Sequence, residues 1–151
     1  MIKIICVGKL KENYLKDAVK EYTKRLSKYT KINVIELNDV SNTDVDNILR
    51  KEEEQILKHI DSKDYVIILD ILGESINSLE LAQKMSNTFI SYSNITFIIG
   101  GSYGLSDKIK NLSNYRLSFS KMTFPHQLFR VMLLEQIYRC FKILNNELYH
   151  K

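Results

Sequence analysis

The sequence predicts an α/β fold in which a mainly parallel sheet carries helices on both faces. Two observations point there. Short runs that are apolar at nearly every position recur along the chain, and segments with apolar residues at helical spacing alternate with them. A strand that is apolar on both faces needs cover on both sides, and crossover helices supply it.

In chain order, Ile2 to Val7 is a β-branched apolar run and reads as a buried strand. Lys11 to Tyr29 places Tyr14, Leu15, Ala18, Val19, Tyr22 and Leu26 on one helical face, with lysines outside. Ile32 to Leu37 is a second strand. Asn42 to Ile60 is a second helix, with a cap expected at Asn42 or Thr43 and acids in its first turn, where the helix dipole favours them. Tyr65 to Leu69 is a third strand, ending at Asp70, and Ser78 to Tyr92 a third helix. Ile95 to Ile99 is a fourth strand running into Gly100-Gly101. Leu105 to Leu112 is a short helix, Tyr115 to Ser120 a fifth strand with Leu117 and Phe119 on one face, and Pro125 to Leu144 the last helix.

At 151 residues, one domain spanning 1–151 is expected. A chain of this size buries roughly 68–70% of its unfolded surface, enough for a core without staples. The single proline and five glycines leave no linker or low-complexity segment. Cys6 and Cys140 form neither a C-x-x-C pair nor a metal spacing, so reduced thiols in the cytosol are expected. The first apolar run is too short for a signal peptide or a membrane span, and a cytoplasmic protein without membrane contact is the expectation. His59, His126 and His150 are scattered, and no metal site is expected.

The net charge of +4 is mild, but it is unevenly spread. Residues 1–31 carry nine Lys or Arg against three acids, while residues 36–54 carry seven acids against two basic residues. Residues 121–151 are again basic, five against two. Two basic ends that met in space would make a phosphate-facing surface; solvated helix faces are the alternative.

The segment from Phe97 to the end holds the candidate site. Ligands of open parallel sheets sit beyond the carboxyl ends of the strands, which gathers Leu69-Asp70, Gly100-Gly101 and Ser118 to Phe124 on one rim. In IIGGSYG, 98–104, glycine lets a ligand approach the backbone without a Cβ in the way. It is not the G-x-G-x-x-G fingerprint, and Gly8-Lys9 is not a phosphate loop. Before Pro125, the run SFSKMTF would expose backbone N–H and C=O groups able to read the edge of a neutral heterocycle such as adenine; capping of the helix by Thr123 is the alternative. Glu135 and Arg139 are spaced for a helix-surface ion pair. Too many apolar residues surround them for a one-sided helix, which suggests burial in a subunit interface. The tail Tyr149-His150-Lys151 either frays or stacks on a base and touches phosphate.

Together these segments resemble the RlmH family, the 23S rRNA (pseudouridine-N3)-methyltransferases of the SPOUT class. The likeness spans the chain: KIICVGKLKE near the start, VIILDILGE at 66–74, FIIGGSYGLS, LSFSKMTFPHQLFRVMLLEQIYRCFKI, and YHK at the end. The resemblance implies a SPOUT α/β-knot with a C-terminal trefoil knot, whereas periodicity alone predicts an unknotted sheet because knots are rare. It implies S-adenosylmethionine as cofactor, held by Leu69, Gly100, Phe119, Ser120, Lys121, Met122, Thr123 and Phe124. It further implies a homodimer in which one subunit's tail helps complete the other's site. The implied substrate is a pseudouridine of the helix-69 stem-loop of 23S rRNA, in an assembled ribosome. Arg139, Tyr149 and His150 are the candidate catalytic residues for placing the base and stabilising its charge, with His150 or water as proton acceptor. Arg130, Lys9 and Lys11 are the candidate RNA phosphate contacts. Leu148 stands where many relatives have proline, Cys140 where alanine is common, and Phe119 where leucine is common. Only the first bears on tail geometry, since proline would stiffen it. A non-catalytic ribosome-binding protein of this fold and a transfer-RNA methyltransferase are the competing readings.

Overall fold

In the computed structural model, which describes residues 1–151, five parallel strands form one sheet in the order β2-β1-β4-β3-β5. The elements alternate: β1 Ile2–Val7, α1 Asn13–Leu26, β2 Ile32–Leu37, α2 Val45–Leu57, β3 Asp64–Ser75, α3 Ser78–Ser91, β4 Asn94–Ile99, α4 Asp107–Leu112, β5 Tyr115–Ser118 and α5 His126–Leu144. This is the α/β sheet with crossover helices that the apolar runs predict.

The two-residue period of the strands builds two cores. Ile2, Ile4 and Cys6 of β1 and Ile95, Phe97 and Ile99 of β4 face Met85 of α3 and Leu133, Ile137 and Tyr138 of α5. Ile5, Val7, Ile68 and Ile98 face the other way, onto Ile56 of α2 and Ile109 of α4. Each of these buried side chains is worth about 1.5–3 kcal/mol of transfer free energy. Lys3 is buried at the far end of the sheet and pairs with Asp64 and, at 3.2 Å, with Asp61.

The structure departs from the expected boundaries at informative places. Helix α2 is capped by Asp44, whose carboxylate accepts from the Asn47 N–H at 2.9 Å, while Asn42 turns the chain at φ 61°. Neither Asn42 nor Thr43 is the cap. Strand β3 continues to Ser75 because it leaves β4 and pairs again with β5. Leu117 faces both Leu69 and Glu74, so residues 70–73 loop out between them. A Cβ at Gly73 would stand 2.7 Å from the Arg116 carbonyl, so only glycine lets the loop close on β5. Strand β5 stops at Ser118 rather than Ser120. No helix is long and apolar enough to cross a membrane.

Candidate cofactor cleft and tail cluster

At the carboxyl ends of β3, β4 and β5 lies a cleft of about 310 Å³. Leu69, Gly100, Phe119, Ser120, Met122, Thr123 and Phe124 all line it. Of the expected cofactor residues only Lys121 does not; its side chain is exposed outside.

The walls follow from local chemistry. The turn after β4 is closed by the Gly104 N–H donating to the Gly101 carbonyl at 3.1 Å. A Cβ on Gly100 would stand 2.7 Å from the Gly104 carbonyl oxygen, so the turn requires glycine there. The loop after β5 is folded by two serines. Ser118 Oγ lies 3.2 Å from the Ile71 carbonyl and 3.1 Å from the Ser120 carbonyl, and the Met122 N–H donates to Ser120 Oγ at 3.0 Å. The N–H groups of Lys121, Thr123 and Phe124 bond nothing within the chain and remain available to a ligand. Phe119 and Phe124 pack on Phe129 with centroids 4.8 and 6.1 Å apart, making an apolar wall. Helix α5 opens with Pro125 as its cap and no side-chain capping bond, so Thr123 is not the cap and the helix N-terminus keeps free donors.

The second cluster is on the far half of α5. Arg139 donates to Glu135 at 2.8 and 3.4 Å, and one of its nitrogens lies 3.2 Å from His150 Nδ1. Tyr149 donates its hydroxyl to Glu135 at 2.9 Å, and its ring meets Tyr138 edge-on at 5.1 Å. Burial and the Glu135 carboxylate push the Tyr149 phenol up to about 12, so it stays protonated at neutral pH. Glu147 accepts from Lys142 at 2.6 Å and Tyr29 at 2.7 Å, which holds its carboxyl down at about 2. The tail is therefore docked rather than frayed. Leu148 is fully exposed, and the tail is held by its neighbours Glu147, Tyr149 and His150.

Arg139, Tyr149 and His150 are thus brought together, but beside the cleft rather than in it. His150 lines an adjoining hollow of about 430 Å³ with Gln136 and Ser78. Leu117 and Phe119 form the wall common to both.

Arg130 requires correction. It is completely buried, donating to Glu36 at 3.1 Å and to the Gly8 carbonyl at 3.0 Å. It cannot contact RNA phosphates from there. Alternation of charge along α5 does not reveal that this face packs on the ends of β1 and β2. Lys9 and Lys11 are exposed, and the Lys11 N–H donates to Gln127 at 3.2 Å, which holds this segment against the first turn of α5. Residues that motif reasoning missed are His126 and Phe129, both lining the cleft; the expected Glu135–Arg139 pair forms, and Glu135 also holds Tyr149. The i, i+4 spacing of Glu135 and Arg139 was the available signal. No three His, Cys, Asp or Glu side chains are grouped to hold a metal ion.

Comparison with known proteins bears on the family. Residues 1–150 match the family model described as "Predicted SPOUT methyltransferase". The chain is 54% identical to the ribosomal RNA large subunit methyltransferase H of Clostridium botulinum strain Langeland and 55% identical to that of strain 657, over 99% of both chains in each case. Among solved structures, a probable methylase family protein of Haemophilus influenzae Rd KW20 superposes with a TM-score of 0.57 at 17% identity, over 99% of this chain and 70% of that one; at that identity the likeness concerns the fold. With full-length matches of this kind on a cleft of this construction, the chain belongs to the SPOUT methyltransferase family.

Proposed function

We propose that this protein methylates N3 of a pseudouridine in the helix-69 stem-loop of 23S rRNA, using S-adenosylmethionine, as a homodimer acting on assembled ribosomes. The observation that carries the reading is the cleft: all the residues expected to hold the cofactor except Lys121, scattered from Leu69 to Phe124, come together on one rim. The cleft fits an adenosine-bearing ligand. It combines a glycine cradle that a Cβ would fill, an apolar aromatic wall, and free N–H donors for a heterocycle edge. Leu69, Gly100 and the 119–124 loop would hold the group. When bound, S-adenosylmethionine would supply an electrophilic methyl group on its sulfonium for transfer to N3, and the N3 proton would pass to water.

The chain's own residues then orient and neutralise. Arginine is always a donor, so the Arg139 contact makes His150 Nδ1 an acceptor. Neutral His150 therefore carries its proton on Nε2 and is a donor toward a base carbonyl, which favours water as the proton acceptor. Arg139 supplies the positive charge for the anionic base, and Glu135 fixes its direction. Met122, which lines the cleft, is 75% exposed, and Leu72 (87%) and Leu128 (41%) are exposed apolar side chains next in the chain to the cleft residues Ile71 and Phe129; exposed apolar surface of this kind supports a partner subunit. The embrace of residues 70–75 and β5 is where the implied trefoil knot would form.

The test is transfer of labelled methyl to purified ribosomes, with and without prior pseudouridylation, followed by mapping. Label confined to one pseudouridine supports the reading. Label on transfer RNA alone supports that competing enzyme, and absence of cofactor binding supports the non-catalytic one.

Two further outcomes are expected. Arg139→Lys keeps a charge but loses the fork that meets Glu135 and His150, so turnover should fall roughly 100-fold or more with cofactor affinity unchanged. Turnover equal to wild type would remove Arg139 from catalysis. Secondly, removing both Lys9 and Lys11 should flatten the salt dependence of ribosome binding by about one unit of log–log slope per lysine. An unchanged slope would remove them from the RNA contact.

A further inference from the structure

Behind the glycine turn is a carboxylate that nothing above uses. Glu52 of α2 is 5% exposed, and its two carboxylate oxygens lie 3.3 Å from the place a Gly101 Cβ would occupy. It has no cationic partner within ion-pair distance, and its one hydrogen bond is a 3.5 Å contact from the Val40 N–H. It lines a small polar chamber of about 40 Å³ shared with Asp39, Tyr103 and His126. Gly101, Ser102 and His126 line both that chamber and the cofactor cleft, so the carboxylate is separated from the cleft by one thickness of backbone. The neighbouring Glu53 is committed elsewhere, accepting from Ser106 Oγ at 2.7 Å.

A buried carboxylate without a cation is costly to keep. Gly101 puts no side chain between it and the cleft, and Ser102 and His126 make up the rest of the partition. We propose that Glu52 is a specificity-determining residue whose negative charge makes the cleft favour a cationic sulfonium ligand over the neutral thioether of the same shape. The inference rests on the cofactor reading above and adds to it. It gives the cleft a means to bind the methyl donor and release the demethylated product, which differ by one positive charge and one methyl group.

The groups facing Glu52 bear on its pH dependence. They are Asp39 after β2, Tyr103 in the turn and His126 at the start of α5. Burial first, then Asp39, push the Glu52 carboxyl up, and the Val40 N–H opposes them. Burial, then Arg130 and, more weakly, Lys11 push the His126 imidazole down, and Asp39 opposes them. The carboxylate charge is present above the Glu52 titration and lost as pH falls through it. Sulfonium preference therefore weakens on acidification.

The experiment is calorimetric titration of wild-type protein and Glu52→Gln with S-adenosylmethionine and S-adenosylhomocysteine. The expected result is that Glu52→Gln lowers the affinity ratio, sulfonium over thioether, roughly tenfold while thioether binding holds, the effect of one charge pair about 12 Å apart at an effective dielectric of about 20. Equal loss for both ligands would mean a merely structural role and overturn the proposal, as would an unchanged ratio. If Glu52→Gln does not fold, the wild-type ratio measured from neutral to acidic pH decides: a fall supports the proposal and a flat ratio overturns it. Failure of both ligands to bind wild-type protein would instead overturn the cofactor reading itself.

Discussion

Gly100→Ala is expected to cost at least about 100-fold in S-adenosylmethionine affinity, because it moves the wall against which the ligand is placed. The added Cβ meets backbone rather than a side chain: 2.7 Å to the Gly104 carbonyl oxygen, 2.8 Å to its carbon and 3.0 Å to Leu105 Cγ. Backbone cannot rotate aside, so the Gly101–Gly104 bridge must open, and with it the cleft floor. Gly104→Ala is the control. Its Cβ would meet nothing within 4 Å, and the cost is confined to a left-handed φ of 77°. That is about 1–3 kcal/mol of strain without a clash. Calorimetric titration of both variants should separate the two effects. Unimpaired binding by Gly100→Ala would show that the turn yields and does not shape the site.

The second large effect is on stability. Arg130→Ala should destabilise the fold by about 3–5 kcal/mol, the usual cost of removing one partner of a buried ion pair. The guanidinium joins α5 to the Gly8 carbonyl at the end of β1 and to Glu36 in β2, so its loss unpins three elements at the cleft end of the sheet. Arg130→Met should cost less, since it refills the volume. Glu36 is about a third exposed and keeps the Leu10 N–H as a donor at 2.6 Å. Urea unfolding of both variants tests this. A phosphate-contacting arginine would behave in the opposite way, with stability unchanged and ribosome binding weakened.

Most of the elements are legible because strand and helix periods are local properties. The apolar runs at Ile2–Val7 and Asn94–Ile99 need no partner to be recognised. The rim was legible for a different reason: parallel strands bring their carboxyl ends to one edge, so Leu69, Gly100 and Phe119 had to be neighbours once the topology was guessed. The looped extension of β3 was not legible. Residues 70–75 read as a turn until β5 arrives to pair with them, and that pairing is between segments more than forty residues apart. The docking of the tail was missed likewise, because Tyr149 and His150 are polar-tipped terminal residues whose partners lie 14 and 11 residues back, on α5.

By itself the sequence determined the α/β class, the alternation of elements, and the set of residues gathered at the strand ends, since each follows from periodicity and short-range sterics. Only the tertiary structure decided which charges are buried. Arg130 and Glu52 look like surface residues in a one-dimensional pattern, and both are enclosed. The physical reason is that desolvation depends on every element packed around a group. A guanidinium facing the ends of β1 and β2, and a carboxylate behind a glycine turn, acquire their roles from neighbours distant in the chain.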